Sequence, residues 1–414
     1  MSTLARVRGA RVILGLSLLL GLAYSFVLPF LSVFGTREVG MSAFGFGTFM
    51  TTTSLSSVAL STWLARWSDT ILSRRKVLLL GGLTGACGYL GYALSRDVMW
   101  LTLFGVVFLG LSSVTFGQVF ALARDTLEQG GIEPGLLPLY MNVVRLFFAL
   151  AWTVGPALGA ALVAYSFRTA FLAAAAVFLA FTLLVALCVP EKPPSEGSKR
   201  AASALPLSVA FRQPALLAHF LAFVLFFACS TMGMMNLPLL LLEELRGGAG
   251  AVGVAYALPP FFELPFMVYF GALATRVRHE RLVLFAMLLA AVYYAGLSLA
   301  ARPPHVYVLQ VASAAIVAVM SGVAITFFQR FLPQQAGTAT NLYSSASRVG
   351  SMLGYLTFGA VADGLGHRAV FRLAVGATLL AAGIVYSFRR DRDAVRVAPP
   401  LQLPPEASAP AGEP

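Results

Sequence analysis

Apolar runs of about twenty residues recur along the 414-residue chain, each closed by a short polar break. A helical run of that length matches the hydrocarbon thickness of a bilayer. The pattern predicts twelve spans, at 11–34, 43–65, 76–95, 99–123, 137–164, 169–189, 214–242, 250–275, 282–300, 305–329, 338–362 and 369–388. The longest internal break, Pro190–Gln213, is rich in Pro, Ser and charge and reads as a flexible linker. It divides the chain into an N-terminal six-helix bundle (1–189) and a C-terminal one (214–390). The Pro/Ala-rich tail, 391–414, reads as disordered. The basic, apolar start is like a signal peptide, but its run is too long for one and no cleavage site is clear. It is expected to be an uncleaved first span.

Composition agrees. The chain is 58% hydrophobic and 11% charged, with a mean hydropathy of +0.82. Soluble domains run near 45–50% and 25%. The net charge of +12 would suggest nucleic acid, yet no basic and aromatic surface pattern accompanies it. The cations follow the predicted spans instead. With the N-terminus assigned to the cytoplasm, 20 of the 29 Lys and Arg fall on cytoplasmic segments and 7 on outer ones. Arg145 and Arg348 lie inside spans. This bias places both termini in the cytoplasm. The partners this excludes and includes are plain: no nucleic acid, a lipid bilayer all round, and a monomer as the expected state.

Cys87, Cys188 and Cys229 all sit in apolar runs, without disulfide or metal spacing. No Gly-x-x-x-x-Gly-Lys-Ser/Thr loop appears, so no nucleotide cofactor is expected, and no nucleophile–base pairing suggests an enzyme. The two halves resemble each other weakly. Leu139, Tyr140 and Arg145 of span five recur as Leu342, Tyr343 and Arg348 of span eleven, at one offset of 203. Parallel repeats of this kind mark transporters that bind substrate at the midplane.

A charge in hydrocarbon costs at least ~2.5–3.5 kcal/mol, so Arg145 should face a bundle interior or a water-filled cavity. Glu263, in FFELPFMVYF of span eight, is the acid deepest in a span. It is the candidate proton-coupling acid, with Arg145 as its partner; a plain structural hydrogen bond is the alternative. Sugar hydroxyls need amides and aromatic faces. Gln118, Asn142, Asn236, Trp152 and Arg348 form the expected substrate-facing set, although each could instead bond a neighbouring helix.

Leu64–Asp69 followed by Ser73–Lys76 puts a carboxylate and a basic cluster at one short turn. This resembles the signature loop of the major facilitator superfamily, although Ala65 and Leu72 stand where that loop has glycines. The matching loop of the second half has Thr275 in place of the acid, so any latch is one-sided. Asp69, Arg66, Arg75 and Arg124 are its expected members. Together with Ser68–Asp69 and Arg74–Lys76 of that loop, five further stretches are similar to the bacterial sugar efflux transporter family, in the same order: Ser32–Gly40, Phe120–Asp125, Arg145 with Ala151–Pro156, Glu263–Pro265, and Phe328–Gln329 with Ala336–Thr340. One position departs, Asn236 standing where an Asp is expected. Gly155 and Pro156 resemble the Gly-Pro element of exporting antiporters; ordinary helix packing is the alternative. The resemblance implies the major facilitator fold, all-α, with twelve transmembrane helices in two six-helix bundles. It implies export of sugars or glycosides by proton antiport at a bacterial inner membrane. A proton-coupled multidrug exporter is the alternative within the superfamily. A non-transporting receptor on the same fold is a further class, which would leave the in-span Arg and Glu without use.

Overall fold

The computed structural model describes residues 7, 9–70, 72–133, 136–191, 214–332 and 336–388, without the side chains of 65–70, 138, 336 and 337. The predicted linker from 192 and the predicted tail therefore lie outside the described residues. Twelve helical stretches follow one another: α1 Ala10–Glu38, α2 Ala43–Thr70, α3 Arg74–Leu94, α4 Val98–Gln129, α5 Leu137–Tyr165, α6 Phe167–Cys188, α7 Pro214–Glu244, α8 Ala249–Leu273, α9 His279–Leu299, α10 Pro303–Gln329, α11 Ala336–Leu365 and α12 His367–Ser387. Ten are long and apolar enough to cross a bilayer; α2 and α11 have the length, at 28 and 30 residues, but are diluted by Ser, Thr and Gly. The architecture is that of an integral membrane protein, all-α among the described residues, with two sets of six helices. The face where α1 starts and α12 ends is called the terminal face below.

Local chemistry sets the helix ends. Asp97 caps α4, its Oδ1 accepting from the N–H groups of Met99 (2.9 Å) and Trp100 (3.1 Å). Ser73 and Ser166 cap α3 and α6. The first helix of each half ends alike, in a wide π-helical turn: Phe34–Glu38 in α1 and Leu240–Glu244 in α7. α1 runs past its expected end because this turn continues the backbone ladder, the Val39 N–H reaching Phe34 O.

In lipid, apolar side chains gain nothing by leaving their solvent, so small residues that permit close approach hold the bundle together. Gly85 on α3 is one such point: a Cβ there would stand 2.6 Å from Ser112 Oγ on α4 and 2.7 Å from the Phe178 ring on α6. Most of one buried cluster comes from α1–α6, with Tyr89, Tyr92, Phe171 and Phe178 at its centre; most of a second comes from α7–α12, where Phe223, Phe327, Phe328 and Tyr343 pack together. On the terminal face Lys76 Nζ lies 2.9 Å from Glu191 Oε1. This hydrogen bond holds the Glu191 carboxyl below its usual range, with Arg75 adding to the effect.

Candidate transport pathway

The two halves meet along three seams, and the contacts that join them lie away from the terminal face. On one side α2 packs against α11: Gly47 and Gly359 bring the backbones together, a Cβ at Gly47 falling 2.3 Å from Tyr355 O. The Thr51 hydroxyl donates to Met352 O at 3.3 Å. On the other side α5 packs against α8, where a Cβ at Gly253 would meet Ala160 Cβ at 2.8 Å and Pro156 O at 2.9 Å. At the rim, between α1 and α7, Arg37 Nε lies 3.1 Å from Glu243 Oε1. None of these ties lies on the terminal side of Thr51 and Met352.

Toward the terminal face the inter-half sides of α5 and α11 are exposed instead. Asn142 and Arg145 project from the side of α5 that carries Pro156 and Ala160, roughly opposite the exposed apolar Leu150, Val154 and Leu158. Lipid covers the second set, so Arg145 points into the opening between the halves. On α11, Asn341 and Arg348 share the side of Gly359, well away from exposed Val349 and Leu353. The two arginines paired by the 203-residue offset thus face the same opening from opposite seams. Neither has a hydrogen-bond or ion-pair partner among the described residues.

Glu263 is half-buried on α8 and likewise lacks a described partner. The structure does not bring it into an ion pair with Arg145. A cleft of about 550 Å³ opens at the terminal face between α8, α10 and the start of α9, lined by Met267, Gly271, Thr275, His279, Thr326 and Arg330 among others. Met267 is one helical turn from Glu263 on the same side of α8. Trp152 is half-buried below Arg145, and its indole N–H is enclosed without an acceptor.

The other expected residues have found different company. Asn236 is fully buried between α7 and α12: its Nδ2 donates to His367 O at 2.8 Å, and its Oδ1 lies 2.7 Å from His367 Nδ1. His367 Nε2 in turn lies 3.0 Å from Glu243 Oε2. Both ends of the amide are thus spent inside the second half. Gln118 is buried too, and its Oε1 accepts from Arg74 Nη1 at 3.2 Å, while Arg74 Nε binds Asp125 Oδ2 at 2.8 Å. Arg75 donates to Ala186 O at 2.8 Å, and Arg124 pairs with Glu128 at 2.8 Å within α4. These cations are held inside the first half. The side chains of Arg66 and Asp69 lie outside the described ones. Gly155 faces α1, where a Cβ would meet Ser25 Oγ at 1.8 Å; Gly159 does the same at Phe26 O, 2.5 Å away. Pro156 faces α8. The Gly-Pro element is therefore a joint between three helices.

A model of the Major Facilitator Superfamily matches residues 13–329 and 220–410. A Deinococcus radiodurans protein, provisionally named a sugar efflux transporter, is 37% identical over 91% of this chain and 97% of its own length. Sugar efflux transporter A of Dickeya chrysanthemi is 31% identical over 91% and 94%, and Sugar efflux transporter A of Escherichia coli K12 is 29% identical over 85% and 89%. Among solved structures the nucleoside transporter NupG superposes with a TM-score of 0.77 over 94% of this chain and all of its own, at 13% identity. A bacterial homologue of the human lysosomal transporter Spinster, in an inward-facing and unoccupied conformation, gives 0.74 over 94% and 98% at 14% identity. These last two show the fold alone. Matched along both halves and across nine-tenths of its length, this chain belongs to the Major Facilitator Superfamily and, within it, to the sugar efflux transporter family.

Proposed function

We propose that this chain is a secondary active exporter of sugars or glycosides, working by alternating access and driven by proton antiport. It acts as a carrier in the bacterial inner membrane, not as an enzyme. The observation that carries the reading is the pair of arginines, Arg145 and Arg348, without a partner among the described residues and facing one opening from the two halves. Uncompensated charge at membrane depth is costly and belongs to a substrate or ion pathway. The substrate class follows from the relatives, whose names are those of sugar efflux transporters.

With both termini in the cytoplasm, as the charge bias implies, the conformer is open to the cytoplasm and closed outside. An exporter loads its substrate in that state. Asn142 then supplies an exposed amide beside Arg145, suited to hydroxyl groups, with the half-buried Trp152 two turns further in. Gln118 and Asn236 are engaged elsewhere in this state and act as supports for the helices they join. Glu263 remains the proton-coupling acid, and the cleft that opens at the terminal face is lined by Met267, one turn from it. Its exchange with Arg145 belongs to a later step of the cycle.

The test is a flux screen in inside-out vesicles, with sugars, glycosides and cationic dyes, each with and without a pH gradient. Gradient-dependent uptake of a glycoside that simple sugars compete away is the expected result. Competition by dyes alone would replace sugar export with multidrug export, and no flux of any kind would remove the transport reading.

A further inference from the structure

The closed end of the pathway is tied by a side chain that none of the expected roles includes. Asp363, in the last turn of α11, reaches across to the first turn of α2. The Ala43 N–H donates to its Oδ1 and the Phe44 N–H to its Oδ2, each at 2.8 Å. The Ser42 hydroxyl takes the Gly45 N–H at 2.9 Å. A helix leaves its first amide donors unfilled and carries about half a positive charge at that end. Two of those donors in α2 are filled by a carboxylate from the other half of the molecule. Hydrogen bonds to a charged acceptor are about twice as strong as neutral ones.

α2 and α11 run antiparallel, and each carries an acid in its last turn: Asp69 in α2 and Asp363 in α11. The antiparallel pairing puts the last turn of α2 at the same face as the first turn of α11. We propose that Asp363 is a gating residue of the transport cycle: its carboxylate on the α2 N-terminus holds the face opposite the termini shut. Opening that face breaks both bonds. The role of Asp363 rests on the alternating-access reading above, and it adds a residue that the exposed cations and Glu263 do not supply.

The test is a distance measurement between the halves at the closed face. Spin labels go at Met99 and Leu299, exposed ends of α4 and α9, in a chain whose three cysteines are replaced by serine. Asp363→Asn is expected to raise the open-to-closed ratio roughly ten- to a hundredfold, the loss of one or two bonds to a charged acceptor. Asp363→Glu restores the closed population. Ala43→Pro removes one donor while leaving the acid in place, and the first helical position tolerates proline; it shifts the distances the same way, by a smaller factor. A folded Asp363→Asn protein with an unchanged distance distribution overturns the role, as does a shift that Asp363→Glu fails to reverse. A shift in a protein that moves no sugar in vesicles upholds the latch and counts against the export reading instead.

Discussion

Gly359→Ala separates the seam that moves from those that do not. A Cβ at Gly359 would stand 2.5 Å from Ala43 O, 2.6 Å from Phe44 Cα and 2.9 Å from the Ala43 carbonyl carbon. All three are backbone atoms, so no rotamer change can relieve the contact. Ordinary contact begins at 3.4 Å, so α2 and α11 must part by about 0.9 Å. Overpacking of this kind costs roughly 1–3 kcal/mol. The two helices belong to different halves, so the cost falls on the closed conformer alone. At tenfold for each 1.4 kcal/mol, the open-to-closed ratio rises about 5- to 150-fold. Gly159→Ala is the control. Its Cβ would also lie 2.5 Å from a backbone oxygen, that of Phe26, but α5 and α1 sit in the same half. That cost is common to both conformers and appears as lost stability. The Met99–Leu299 spin-label distance reads the first effect and thermal unfolding in detergent reads the second. If Gly359→Ala lowers the unfolding midpoint as Gly159→Ala does and leaves the distances alone, the α2–α11 seam does not open.

Three further substitutions probe the pathway. Glu263→Gln keeps the size of the side chain but removes the proton carrier. Sugar exchange at equal pH should persist while stimulation by a pH gradient is lost, and unchanged coupling in proteoliposomes would sink the assignment. Arg145→Leu and Arg348→Leu should each abolish export from a normally folded protein; loss in only one of them breaks the assumed equivalence of α5 and α11. Asn236→Ala removes the donor to the His367 carbonyl, a buried bond whose loss costs about 1–3 kcal/mol. Its effect should be confined to stability, with flux per folded molecule retained, and a specific loss of sugar affinity would return Asn236 to the substrate site.

The twelve spans were legible because each needs some twenty apolar residues in a row, a signal that single polar residues do not erase. Their ends were less so. α2 continues to Thr70 rather than stopping near 65, since helical backbone persists once the chain leaves hydrocarbon. Facing is harder to read than depth. Asn236 lies well inside a span, and an amide at that depth suggests a ligand. α7 is buried on most of its circumference, however, so no apolar stripe distinguishes its inner side. His367, which takes both ends of that amide, is 131 residues away. Gln118 was obscured in the same way by Arg74. α5 was readable because its exposed leucines mark the lipid side. Asp363 went unnoticed because an acid near the end of a span reads as a loop residue. A usable signal existed: it occupies the last turn of α11 as Asp69 does that of α2.

The repeat also shows where the halves differ, and the difference bears on how they part. At the 203-residue offset Tyr140 and Tyr343 are both buried, and Arg145 and Arg348 are both exposed. Gly155 has Phe358 as its counterpart, fully buried in the same cluster as Phe46 and Phe49 of α2. The glycines that bring α11 against α7 come earlier, at Gly350 and Gly354, where a Cβ would meet Val224 O and Ala228 O at 2.6 Å. The close-approach glycines of α5 thus stand nearer the closed face, and those of α11 one to two turns further back. The consequence is two unlike seams. α5 meets α8 through Pro156, Ala160 and Gly253, and no hydrogen bond joins them among the described residues. α2 meets α11 through a bulky Phe358, the Thr51 hydroxyl and two bonds to the Asp363 carboxylate. The Arg37–Glu243 pair at the rim is exposed and, like other surface pairs, worth about 0–1 kcal/mol. Opening the closed face must therefore be resisted on the α2–α11 side, while the Gly-Pro joint of α5 slides on apolar contact. On the alternating-access reading proposed above, the element that resembles the Gly-Pro of exporting antiporters is then a bearing, and the resistance to opening resides in the seam opposite it.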